Sequence, residues 1–94
     1  MLHIHIFVSP AGPEKRAVLV KRIDSLDTLP DTWAGICSDL YEWGIDTFTV
    51  VVSNHTGPTA VFTDLTDELV VDGMGDAVIE AVHTAARHPK EDLL

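Results

Sequence analysis

His3 and His5 stand two positions apart in the segment Leu2 to Val8. In an extended strand both imidazoles project from one face, about 7 Å apart at the α-carbon, near enough to share a metal ion. Two ligands do not complete a site. A metal would have to recruit further donors, with His55, His83 and Asp72 as the available candidates. The competing reading is a pair of ordinary strand histidines, facing solvent or satisfied by neighbours. His83 and His88 are five apart and do not share a helix face, and no His-Glu-x-x-His segment occurs. Near a helix end, His88 suits the negative pole of the dipole.

Gly73 and Gly75 bracket Met74 just ahead of Asp76, between an apolar run and an amphipathic one. A glycine turn that opens a helix is where backbone amides can hold a phosphate. Here the flanking charges are Asp72 and Asp76, which would repel a phosphate unless a metal lay between. The glycines then read as a tight turn, with Asp76 as the helix N-cap. Gly12, ahead of Pro13, is the other turn candidate. Ser9, Ser38 and Ser53 sit in no nucleophile motif, so no triad is assigned. Cys37 is the only cysteine, so it forms no internal disulfide; its helical spacing with Trp33, Ile36 and Leu40 places it in an apolar stripe. Trp33 and Trp43 are ten residues apart and out of phase on a helix, so one is expected at the surface, where a tryptophan marks a protein interface. No cofactor is implied.

The elements that must position these residues follow from periodicity. Leu2, Ile4, Ile6 and Val8 alternate with His3, His5 and Phe7, and Ser-Pro-Ala-Gly-Pro at 9–13 ends that strand. Residues 16–23 suit either a strand or a short helix, and a strand in a hairpin with the first is preferred. Leu29-Pro30-Asp31-Thr32 supplies a proline and two candidate N-caps, Trp33 to Tyr41 keeps helical spacing, and Gly44 stops the helix. The run Ile45 to Ser53, with Val50, Val51 and Val52 in a row, predicts a central strand buried on both faces. Residues 54–58 form a loop, and 60–63 a short edge strand or an irregular connection. Glu68 to Asp72 reads as a short strand, and Ala77 to Ala85 as a helix stopped before Pro89.

This β-β-α-β-β-α order predicts a single α/β domain over residues 1–94. Its sheet is expected to have three to five strands, mostly parallel or mixed, with two main helices joined by crossovers. A ferredoxin-like α+β sandwich, with antiparallel hairpins and both helices on one face, is the competitor.

Fifteen acidic against six basic side chains leave a net charge of −9 over 94 residues. Area scaling lets a chain of this size bury about 64% of its unfolded surface, enough for one modest core. So acidic a surface lacks the electrostatic footprint of a nucleic-acid binder or of an anionic-membrane binder. No apolar run approaches the ~18 residues of a membrane span, and the N-terminal stretch lacks the basic region of a leader, so a cytoplasmic location is expected. Ten of the acids are Asp and only three residues are Lys. That mixture resembles cytosolic proteins of salt-loving organisms, in which salt screens self-repulsion.

Three segments together resemble the cis-prenyltransferases, the family of undecaprenyl diphosphate synthase. His3-Ile-His-Ile-Phe-Val-Ser-Pro-Ala-Gly-Pro13 is similar to that family's first strand and diphosphate loop. Gly44-Ile-Asp-Thr-Phe-Thr49 is similar to its run into the next strand, and Glu68-Leu-Val-Val-Asp-Gly-Met-Gly-Asp76 to its Gly-Gly-Asp/Glu turn before a helix. The departures fall on the charged groups. Ser9 stands where the resemblance implies a metal-positioning Asp, and Pro13, Asp72 and Val78 stand where it implies arginines. Only Gly12, Gly75 and Asp76 carry over, and these shape turns. Without an arginine clamp nothing grips a diphosphate, so the resemblance implies a retained scaffold without the reaction. The leading expectation is therefore a noncatalytic protein-binding module, a partner subunit related to that family or a homo-oligomer, with Trp33 and Trp43 as interface candidates. The alternatives are a small metal- or ligand-binding enzyme using His3 and His5, and an acidic inhibitor or DNA mimic.

Overall fold

The computed structural model describes residues 4–10 and 19–87. Strands β1 (Ile4–Pro10) and β2 (Leu19–Ile23) lead through a 3-10 turn at Leu26–Thr28 into helix α1 (Leu29–Glu42). Strands β3 (Thr47–Asn54) and β4 (Gly57–Thr66) follow, then a one-turn helix α2 (Asp67–Leu69), a wide turn over Val70–Met74, and helix α3 (Gly75–Arg87). The sheet order is β2-β1-β3-β4 and every pairing is antiparallel.

The mostly parallel sheet expected from the element order is thus corrected. β2 and β3 do run in the same direction on either side of α1, but β1 lies between them and pairs with both. The second expected crossover is absent because Glu68–Asp72 is helical, not a strand. The Thr66 hydroxyl accepts from the Leu69 amide at 3.3 Å and so starts a helical turn immediately after β4. The resulting α+β domain, with a four-stranded antiparallel sheet and two main helices, is compatible with the ferredoxin-like alternative.

Each strand shows its alternation in burial. Ile4, Ile6 and Val8 of β1 and Phe48, Val50 and Val52 of β3 are buried, whereas their neighbours in sequence are half-exposed. Both helices pack on that same side. α1 buries Leu29, Trp33, Ile36 and Leu40, and α3 buries Gly75, Val78, Val82 and Ala85, each set spaced by three and four residues. With Ile23 and Leu65 they form one core between a sheet and a helix layer. Each fully buried aliphatic side chain contributes about 1.5–3 kcal/mol relative to exposure. The other face of the sheet has no layer over it among the described residues. The expectation that β3 is buried on both faces fails for this reason.

Chain reversals carry the rest of the positioning. α1 begins one turn earlier than its predicted caps, with Pro30 and Asp31 inside the first turn. It ends as predicted at Gly44: the Ile45 amide donates to the Leu40 carbonyl at 3.0 Å and the Gly44 amide to the Tyr41 carbonyl at 3.1 Å, a Schellman closure. The predicted loop at 54–58 is a two-residue hairpin turn, and β4 extends to ten residues rather than four. Asn54 is the one buried polar side chain among the described residues. Its Oδ1 accepts from the Thr56 amide at 2.9 Å and its Nδ2 donates to the Ala85 carbonyl at 3.2 Å. One amide therefore ties the β3–β4 turn to the C-terminal end of α3, whose last carbonyls have no partner within the helix.

Candidate functional site

The uncovered sheet face begins at β1, where His5, Phe7 and Ser9 alternate with the buried residues. The strand pairing sets Val20 of β2 opposite Phe7, Phe7 opposite Val51 of β3, and Val51 opposite Val61 of β4. Four apolar side chains, one from each strand, thus form a continuous row across the face. Its two ends are open, with Val20 51% and Val61 57% exposed. The flanking positions are His5, Ser53 and Arg22 on one side and Ser9 and Thr49 on the other, with Thr47 further along. The rings of His5 and Phe7 lie 6.0 Å apart. Arg22 is held in an ion pair with Asp24 at 2.9 Å.

Charge is distributed unevenly between the two sides. Asp64, at an irregularity of the β4 edge with φ 55°, is the sole acid in the four strands. The remaining acids of the described residues lie in the helices and connections, among them Asp31, Asp39, Glu42, Asp67, Glu68, Asp72, Asp76 and Glu80. Among the described residues, the charged groups at the open face lie at its edges: Arg22 with its partner Asp24 at β2, and Asp64 in the irregular stretch of β4 that faces Thr49.

Of the metal candidates, His3 lies outside the described residues. His5 is on the open face, whereas His83 belongs to α3 on the opposite side of the sheet, His55 to the exposed hairpin turn, and Asp72 to the turn before α3. No group of three or more His, Cys, Asp or Glu side chains among the described residues is placed to share a metal ion. A shallow groove beside α2 is lined by Asp67, Glu68, Val71 and Asp72. It has no basic side chain to meet an anion.

Of the turn candidates, Gly12 lies outside the described residues. Gly73 has φ 129°, a backbone conformation that side-chain-bearing residues rarely adopt, and it breaks the wide turn from α3. Gly75 is required for a different reason. A β-carbon there would lie 3.1 Å from Val70 Cγ1 and 3.2 Å from both Trp33 Nε1 and the Val70 carbonyl oxygen. The glycine admits the Trp33 indole against the start of α3. Its own amide donates to the Val70 carbonyl, so it is not aimed outward at an anion. Asp76 sits inside the first turn of α3, favourable to the dipole, rather than at the expected N-cap. Val78, at a position where the prenyltransferase resemblance implies an arginine, is fully buried in the core.

The two tryptophans separate as their phase requires. Trp33 is 7% exposed and belongs to the core, so its interface role is corrected to a packing one; Trp43 is 51% exposed at the end of α1 beside exposed Tyr41. Cys37 is half-buried against the core, and burial first, the Asp67 carboxylate second, pushes its thiol above the ordinary value. It is a poor nucleophile at neutral pH.

Comparison with protein-family models, with curated proteins and with solved structures yields no match. No helix among the described residues is long and apolar enough to cross a membrane.

The apolar row was missed at the sequence level. Phe7, out of phase with Ile4, Ile6 and Val8, and the Thr47, Thr49 and Ser53 alternation around Phe48, Val50 and Val52 were its available signals. Which residues sit side by side across strands is a property of register, and a single chain does not display it.

Proposed function

We propose that this chain is a noncatalytic protein-binding module whose working surface is the open sheet face. The observation that carries the reading is the row Val20, Phe7, Val51 and Val61, spanning all four strands with no acid in the row itself, in a chain of net charge −9. Leaving apolar area in water forgoes about 25 cal/mol per Å², and contiguous apolar patches on isolated domains commonly mark interaction sites. A sheet face with a polar rim of Ser, Thr, His and Arg around an apolar centre has the anatomy of a protein interface. Catalysis would need convergent titratable groups, and among the described residues the His, Asp and Cys candidates are instead dispersed over both sides of the sheet.

Site-specific photo-crosslinking in the source cells tests this. A photoreactive residue at position 61 is expected to give protein adducts, and one at position 71, exposed on the helix side, is not. Equal labelling at the two positions, or none at position 61, refutes the reading. An acidic mimic gripping a basic partner through the helix layer would reverse the pattern, and its adducts would fade with added salt.

A further inference from the structure

We infer that the occupant of the open face is a second copy of this chain, packed sheet to sheet; the inference rests on the protein-binding reading above. Charge favours it. In a back-to-back pair the apolar rows meet and the helix layers, which carry most of the acids, point outward; at the face itself Asp24 is paired with Arg22 and Asp64 lies at the β4 edge. A basic partner would meet Arg22 and His5 beside the apolar row, with Asp24 already engaged by Arg22.

Geometry favours it too. Two copies related by a two-fold axis bring the row against itself, so valine and phenylalanine meet valine and phenylalanine, as an isologous contact requires. Aligned sheets pack about 10 Å apart with their side chains interleaved.

Area sets the strength. Strands about 4.8 Å apart with a rise of about 3.3 Å per residue give four strands of this length a plan area of roughly 400 Å². The standard interface covers about 800 Å² per partner, so the pairing belongs to the small, reversible class, with a dissociation constant of about 1 μM to 1 mM.

Sedimentation equilibrium on the full chain, from about 10 μM to about 1 mM in about 1 M KCl, where the Debye length is about 3 Å, measures this directly. A reversible monomer–dimer equilibrium is expected, weakening as salt is removed because two −9 chains then repel. Val61→Glu buries an unpaired charge and should raise the dissociation constant by about tenfold or more. Val20→Glu, on the opposite edge strand, provides the same test if the first variant loses its circular-dichroism spectrum. Val71→Glu, on the helix side, should leave association unchanged. A mass that stays monomeric throughout, or a dimer weakened by Val71→Glu and not by the face variants, overturns the inference. A monomer that nevertheless gives adducts to a different protein at position 61 removes the second copy and leaves the protein-binding reading standing. A monomer without adducts removes both.

Discussion

Gly75→Ala places a methyl group where the start of α3 meets α1. The new carbon would lie 3.1 Å from Val70 Cγ1 and 3.2 Å from Trp33 Nε1, and also 3.2 Å from the Val70 carbonyl oxygen, which is backbone and cannot swing away. Forcing such a contact costs about 1–3 kcal/mol in a packed core. Against this stands the helical preference of alanine, at most about 1 kcal/mol, and less at a first helical position. The net expectation is a loss of about 1–2 kcal/mol. For a domain of this size that lowers Tm by about 4–16 °C. Gly35→Ala is the matched control: it lies inside α1, is exposed, and has nothing within 4 Å of the added carbon. It should stabilise by about 0.5–1 kcal/mol. Thermal unfolding followed by tryptophan emission, which reports the buried Trp33, measures both. A Gly75→Ala protein as stable as Gly35→Ala would refute the packing account and return Gly75 to the list of glycines kept for a ligand.

Asn54→Ala removes the amide that joins the β3–β4 turn to the Ala85 carbonyl and leaves those groups unpaired, so urea unfolding should show a loss of about 1–3 kcal/mol. The Cys37 thiol, raised by burial and by Asp67, should react with iodoacetamide more slowly than a free thiol between pH 7 and 9, and Asp67→Asn should speed it. The same raised value means that folding favours the protonated thiol: its stability contribution is intact below the unfolded value and declines as pH rises through the folded one, so Cys37→Ser should flatten the alkaline limb of a stability profile. With twelve acids among the described residues, eleven of them in helices and connections, Tm should rise between dilute buffer and about 1 M KCl; an unchanged Tm would count against a salt-adapted surface.

Local grammar made much of this molecule readable from its residues alone. The alternation from Ile4 to Val8, the 3.6-residue stripes of α1 and α3, and the stop at Gly44 each depend on neighbours within a few positions. Their outcome is therefore written in short stretches of chain. What the chain did not display were quantities that arise between distant segments. The insertion of β1 between β2 and β3 turned a predicted parallel sheet antiparallel. The Thr66 cap turned Glu68–Asp72 from strand to helix, and the proximity of Trp33 gave Gly75 its reason. The apolar row exists only because four registers align Val20, Phe7, Val51 and Val61. It stays open because both helices chose the other face. Periodicity says that a strand has two faces; only tertiary packing decides which of them is covered, because that choice is made by burial across the whole sheet and not by any one strand.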